Sequence, residues 1–235
     1  MKPYEQLSKF YKKDWGKDSV RYVELITNVI NKFNLNINSI LDVGCGTGIL
    51  ANKLRNMNFD VSGIDISEDM IKVANETTKG IDFTVSDMRN FKLNKTFDMI
   101  TCAFDAINYV TSDEDMEATI DTIYNHLKNN GFFIFDINTP YLYEDKHFGS
   151  INREFDGLNF KQILEYDKTN GIGTTLFDFG NNNLEKHIQR AYSVDKMDEY
   201  LINVGFEIVG RYRNFRMDPI EDRTYKVFYI AKKKA

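Results

Sequence analysis

Residues 39–48 read Ser39-Ile40-Leu41-Asp42-Val43-Gly44-Cys45-Gly46-Thr47-Gly48, and the fold is decided there. An apolar run from Ile40 to Val43 stops in three glycines, each separated from the next by one residue. A helical pattern then begins with Ile49, Leu50 and Ala51 and continues through Leu54 and Met57. Strand, tight glycine turn and helix N-terminus in that order present bare backbone and the positive end of a helix to a ligand.

Further along the chain the same alternation repeats. Asp60–Asp65 reads as a second strand, and Ser67 caps a helix with Glu68 and Asp69 in its first turn and Met70, Ile71 and Ala74 on its inner face. A third strand covers 81–85 and ends in Ser86-Asp87-Met88, and a fourth covers 97–102. Ser112 opens a helix with Met116, Ile120, Ile123 and Leu127 as its stripe, which Asn130-Gly131 ends. Phe132–Asp136 is apolar on both faces, as a central parallel strand must be. Strands alternating with helices in this way make a doubly wound parallel sheet.

The pattern changes after Pro140. Three β-rich runs, 160–166, 172–179 and 184–192, are separated by the turn signals Asn170-Gly171 and Gly180-Asn181-Asn182-Asn183. They read as an antiparallel meander too small to fold alone, inserted at the ligand end of the sheet. Ser193 then caps a helix that Gly205 ends, and two strands, 206–212 and 224–231, pair as a hairpin. The expected fold is α/β: a doubly wound, seven-stranded, mostly parallel sheet with an antiparallel last strand and a small antiparallel β insertion after strand five. It forms a single domain over 1–235, with an N-terminal helical flap at 1–34 and an inserted β cap at 141–192.

Ahead of the first glycine turn, residues 4–34 read as helical, with Val23, Ile26, Ile30 and Phe33 as one apolar stripe. The aromatics Tyr4, Phe10, Tyr11, Trp15 and Tyr22 either pack against the domain or form a flap that closes over a ligand.

Composition narrows the function classes. The chain of 235 residues carries 30 basic and 35 acidic residues, a net charge of −5, which argues against a broad nucleic-acid surface. The basic run Lys232-Lys233-Lys234 reads as a solvated end. No apolar run reaches membrane length and the first residues lack a signal-peptide core, so a cytoplasmic protein without a membrane partner is expected. Cys45 and Cys102 have neither metal-ligand nor disulfide-framework spacing, and no metal is expected.

Three details select the ligand of the glycine turn. The dinucleotide fingerprint is G-x-G-x-x-G, whereas the third glycine here comes one residue early. Asp42, just before the turn, repels a pyrophosphate and suits a cationic amino group. Asp65, ending the next strand, suits ribose hydroxyls. A ribose, a carboxylate for the helix N-terminus and an ammonium for Asp42 together describe S-adenosylmethionine.

With Leu41–Gly48, Gly63-Ile64-Asp65-Ile66-Ser67 with Met70, and Asp87-Met88, the chain resembles the class I S-adenosylmethionine-dependent methyltransferases. The resemblance runs from about residue 36 to the end. It implies that Asp87 meets the adenine amino group, that Met88 packs on the ring and that the seventh strand is antiparallel. Cofactor contacts are expected from Tyr11, Tyr22, Asp42, Gly44, Cys45, Gly46, Asp65, Ile66, Met70, Asp87, Met88 and Phe104.

After strand four, Ala103-Phe104-Asp105-Ala106-Ile107-Asn108-Tyr109 lacks the Asn/Asp-Pro-Pro-aromatic motif of nucleic-acid amino-methylating enzymes. Bacterial small-molecule and sugar-amine N-methyltransferases are more similar, which implies a small-molecule acceptor. Methyl transfer from a sulfonium needs in-line approach and exclusion of water, and an amine nucleophile must shed a proton. The candidate catalytic residues are His187, Asp105 and Tyr109, and the candidate substrate contacts are Asn108, Asp136, Asn138 and Arg190. The rival readings are a catalytically silent cofactor-binding scaffold and a nicotinamide-dependent oxidoreductase. Monomer and homodimer both remain open.

Overall fold

The computed structural model describes residues 4, 6, 7, 18–145, 149–155 and 158–235. Its first strand, β1 (Ser39–Val43), is buried at all five positions, because it lies inside a seven-stranded sheet with neighbours on both sides. Parallel partners flank it, β2 (Asp60–Asp65) on one side and β4 (Phe97–Cys102) on the other. The strand β3 (Asp82–Val85) extends one edge, and β5 (Leu127–Asn138) continues beyond β4. With β10 (Phe206–Tyr212) and β11 (Lys226–Lys233) the order is β10-β11-β5-β4-β1-β2-β3. The strand β11 runs antiparallel to both of its neighbours, as the terminal hairpin implies.

The order reverses between β1 and β4. Chains leave these two strands toward opposite edges, which opens a crevice at their carboxyl ends. The helices α1 (Asp18–Phe33), α2 (Ile49–Asn56), α3 (Glu68–Thr77), α4 (Asp113–His126) and α6 (Val194–Val204) carry apolar stripes, and α5 (Pro140–Asp145) is a short turn after β5. Two clusters of buried side chains, one containing Leu41, Ile100, Phe133 and Tyr229, the other Ile40, Met99, Ile134 and Phe228, sandwich the sheet. Period two puts alternate residues of one strand into opposite cores.

Ser67, Ser112 and Ser193 cap α3, α4 and α6 by accepting bonds from Met70, Asp115 and Lys196 N–H, and Gly205 ends α6 at φ 111°. The stripe of α1 is displaced from the expected one: Tyr22, Leu25, Ile26 and Val29 are buried, while Val23, Ile30 and Phe33 sit at its margin. The helix α4 also ends earlier, at His126. Leu127 is already extended and pairs with Phe97, so Asn130-Gly131 falls within β5 rather than at the helix end.

The insertion forms its own antiparallel sheet of four strands, β6 (Ser150–Phe155), β7 (Leu158–Asp167), β8 (Ile172–Asp178) and β9 (Leu184–Arg190), in sequence order. Only the last three were legible as β-rich runs. On β9 the alternation is strict: Glu185 and His187 are buried and Leu184, Lys186 and Ile188 are exposed. The polar side chains thus point inward, against the usual pattern.

Candidate active site

A cavity of about 570 Å³ lies in the crevice at the switch point, a size suited to a cofactor or small ligand. Its floor is the glycine turn. Gly44, Gly46 and Gly48 adopt φ of 69°, 54° and 76°, all left-handed. At Gly44 space adds to conformation, since a Cβ there would lie 2.8 Å from the Ala106 methyl of the turn after β4. The N-terminus of α2 above it has Gly48 as cap, no side-chain capping bond and no acid in the first turn, leaving its amides for an anion. Thr47 is buried and lines the cavity, yet its hydroxyl has no hydrogen-bond partner among the described residues.

Acids surround this turn. Asp42 is buried and accepts from the Thr101 hydroxyl at 2.9 Å. Burial pushes its carboxyl up to about 7, against the lowering effect of that bond, with Asp65 adding to the rise. Asp65 accepts from Gly46 N–H and Ser67 N–H, each at 2.8 Å, so it ties the glycine turn to the start of α3. Burial raises its pKa and those two amides oppose the rise. At the far end Arg89 bonds both oxygens of Asp87 and reaches Asp115 at 2.9 Å, holding the Asp87 carboxyl below the usual range. An unpartnered hydroxyl, an uncapped helix end, a buried carboxylate and a carboxylate at the second strand end match the carboxylate, ammonium and ribose of S-adenosylmethionine.

The cavity is lined by Asp42, Gly44, Cys45, Gly46, Asp65, Ile66, Met70, Asp87, Met88 and Phe104 among the anticipated cofactor contacts. Tyr22 is not part of that lining. It is buried beneath, its ring 5.2 Å from that of Phe104, where burial and then the nearby Asp136 hold its phenol neutral. Tyr11 lies outside the described residues.

The residues anticipated around the acceptor divide into two groups. Tyr109 lines the cavity, and His187 stands directly behind it: Tyr109 Oη lies 2.6 Å from His187 Nδ1. Asp105, Asn108, Asp136, Asn138 and Arg190 lie outside the lining and form the joint between the two sheets. Asp136 accepts from Phe104 and Asp105 N–H at 2.7 and 2.9 Å, which holds these two non-glycine residues at φ of 60° and 51°. Lys226 bridges Asp105 at 2.7 Å and Asp136 at 2.6 Å. Although burial opposes its charge, these two carboxylates hold its ammonium above the ordinary range.

The second oxygen of Asp105 takes Gln189 of β9 at 2.7 Å. The Asn108 amide donates to the carbonyls of Asn138 (3.1 Å) and Arg190 (2.6 Å) and accepts from Asn138 N–H (3.0 Å). Arg190 pairs with Asp113 at the start of α4. These residues sit at the carboxyl edge, as the sequence indicates, but Asp105 and Asp136 are occupied by Lys226, Arg190 by Asp113, and the Asn108 amide by the backbone of Asn138 and Arg190.

The sequence did not single out Thr47, Arg89 or Glu185. Thr47 could have been found as the one hydroxyl within the glycine turn. Arg89 follows Asp87 by two residues, a spacing at which a long side chain folds back. Glu185 carried only a weak signal, an acid at an inward position of a strand.

Residues 40–131 match the family model described as a methyltransferase domain. A protein of Geobacillus sp. (strain WCH70), named as a candidate methyltransferase, is 29% identical over 207 residues, 83% of this chain and 84% of its own. The dTDP-3-amino-3,6-dideoxy-alpha-D-glucopyranose N,N-dimethyltransferase of Streptomyces fradiae is 27% identical over 119 residues, 51% of this chain and 47% of its own. Among solved structures, an S-adenosylmethionine-dependent methyltransferase from Clostridium acetobutylicum ATCC 824 shares the fold with a TM-score of 0.87 at 24% identity, over 99% of both chains. Residues 40–131 thus match a methyltransferase domain, and the chain shares the fold of a solved S-adenosylmethionine-dependent methyltransferase. No helix among the described residues is long and apolar enough to cross a membrane.

Proposed function

We propose that this enzyme transfers the methyl group of S-adenosylmethionine to an amine, or a hydroxyl, of a small metabolite. The observation that carries the reading is the cavity's outer wall. It is closed by Tyr4 and by Tyr109, which is backed by His187, a wall that suits a compact acceptor bearing an N–H or O–H. The net charge of −5 and the amino-sugar substrate in the name of the Streptomyces fradiae relative support it.

In this reading the amides at the start of α2, with Thr47 and Asp42, hold the amino-acid end of the cofactor. Asp65 takes the ribose, and Asp87 and Met88 take the adenine. Bound there, the sulfonium supplies a methyl group already activated for displacement. The protein's share is alignment, exclusion of water and removal of one proton. Tyr109 and His187 are placed for that proton. Residues 4, 6 and 7, held on Glu185 of β9 beside Tyr109, form the lid in this reading, and Asp105, through Gln189 and Lys226, ties that strand to the main sheet.

The test is calorimetry with S-adenosylhomocysteine, followed by a turnover assay on a panel of amino sugars, simple amines, alcohols, a peptide pool and an RNA. Micromolar product binding with turnover on an amino sugar or amine is expected. Turnover confined to the peptide or RNA would overturn the small-molecule assignment. Tight binding with no turnover on any substrate would indicate a silent binding protein.

A further inference from the structure

Behind Tyr109 runs a chain of short hydrogen bonds that ends on a buried acid. Tyr4 Oη lies 2.7 Å from Tyr109 Oη, Tyr109 Oη 2.6 Å from His187 Nδ1, and His187 Nε2 2.7 Å from Glu185 Oε1. Donor and acceptor roles along it follow from its end. The Glu185 side chain is fully buried and also takes three backbone amides, Tyr4 N–H at 2.8 Å on one oxygen and Gln6 and Leu7 N–H at 2.7 and 3.3 Å on the other. A carboxylate facing four donors is ionised and only accepts. His187 must therefore carry a proton on Nε2, and in the neutral imidazole that leaves a lone pair on Nδ1. Tyr109 donates to that lone pair, and Tyr4 donates to the Tyr109 oxygen. The imidazole is held in plane by the rings of Tyr4 and Phe177, at 4.7 and 5.1 Å and near-perpendicular.

We propose that Glu185 is a positioning residue with two linked tasks. It fixes His187 in the tautomer that can take a proton from Tyr109, and it holds residues 4, 6 and 7 in place, so that one carboxylate orients the proton acceptor and seats Tyr4 at the cavity's outer wall. The inference rests on the methyl-transfer reading for its purpose, though its geometry stands apart from it. The acceptor's N–H or O–H takes the place of the Tyr4 hydroxyl against the Tyr109 oxygen. As the acceptor is methylated, its proton passes to Tyr109 Oη, and the phenolic proton passes to His187 Nδ1. The resulting imidazolium is stabilised by the Glu185 carboxylate through Nε2–H. Glu185 touches neither cofactor nor acceptor.

The tautomer is read directly by long-range 1H–15N correlation spectra of the histidine-labelled full chain. The chain has only three histidines, and His126 is an internal contrast. Its Nε2 accepts from Leu93 N–H at 3.1 Å and its Nδ1 faces the Thr122 carbonyl at 2.8 Å, so it carries the opposite tautomer.

His187 is expected as the Nε2–H form in the wild type. It should become mixed or inverted in Glu185→Gln and stay unchanged in Tyr109→Phe. Hydrogen exchange at the amides of Tyr4, Gln6 and Leu7 should speed up at least tenfold in Glu185→Gln, with product affinity within about threefold. If turnover is found, kcat should fall at least tenfold in the same variant. An Nδ1–H tautomer in the wild type, or a tautomer that follows Tyr109 rather than Glu185, overturns the proposal, as does unchanged exchange at residues 4, 6 and 7. Absence of turnover on any substrate would strike the methyl-transfer reading alone, because the spectra and exchange rates do not depend on it.

Discussion

The floor of the cavity and the outer wall that we read as its lid are built by different rules. On the floor, side chains reach across short stretches of chain: Asp65 to Gly46, Asp65 to Ser67 and Arg89 to Asp87 span 19, 2 and 2 residues. In the lid, the decisive bonds join Tyr109 to His187, Gln189 to Asp105, Lys226 to Asp105 and Gln6 to Glu185, spanning 78, 84, 121 and 179 residues. A strand-turn-helix motif fixes its own geometry, so residue type and spacing carry the information. A closure made by four separate pieces of chain exists only once the fold brings them together. Cofactor binding should therefore depend on the floor alone, and turnover on both regions.

The sharpest way to break that division is to fill the floor. Gly46 lines the cavity in a left-handed turn, so Gly46→Arg places a long side chain where the ligand lies and strains the backbone. Calorimetry should show S-adenosylhomocysteine binding weakened more than about 100-fold, or about 2.7 kcal/mol. Retained binding would remove the cofactor from this crevice. The reciprocal change, Tyr109→Phe, keeps the ring and deletes the hydroxyl. It should lower kcat by about 100-fold, within the range of a general acid-base contribution, while product affinity stays within about threefold. Loss of affinity with unchanged kcat would place Tyr109 on the floor instead.

Lys226 tests the joint between the two regions. Asp136 is 1% exposed, and removing the ammonium leaves its carboxylate on two backbone amides alone. The Lys226 side chain is about a third exposed, which moderates the cost, so Lys226→Met should destabilise the fold by about 2 kcal/mol. Denaturant unfolding measures it. A change under about 0.5 kcal/mol would mean that the cluster does not anchor the lid.

These contrasts explain what the sequence disclosed. The seven strands and the glycine floor were legible because apolar runs, capping serines and glycine spacing report local geometry. The anticipated acceptor residues were at the right sheet edge, yet Asp105 and Asp136 are occupied by Lys226, Arg190 by Asp113, and Asn108 by the backbone of Asn138 and Arg190. An acid at a strand end looks the same in sequence whether it faces a ligand or a lysine 90 residues away, as Asp136 does. His187 was visible as a candidate, but its partner Glu185 was not. Their pairing depends on both facing inward from β9, and only the packed lid shows that. The strand β6 escaped notice because Ser150–Phe155 mixes polar and charged residues with few apolar ones, and it gains its place by pairing with β7.

Asp42 gives the smallest and most specific effect. Burial raises its carboxyl pKa to about 7 in the free protein, and a ligand ammonium favours the ionised form. As pH falls from 8 to 6 the carboxyl takes up a proton and ceases to attract the ammonium. Affinity for S-adenosylhomocysteine should then fall by about tenfold, or about 1.4 kcal/mol, and binding near pH 7 should release a proton to buffer. The stability of the free protein moves the other way. The native state holds this proton more tightly than the unfolded chain, so the group favours folding at low pH, and that contribution is lost as pH rises from about 4 to about 7. Asp42→Asn should flatten the affinity profile, weaken binding at pH 8 and raise the melting temperature there. Calorimetry in two buffers of different ionisation enthalpy measures the proton release. A flat profile in the wild type would mean that the ammonium is held elsewhere on the floor, with Asp42 serving Thr101 alone.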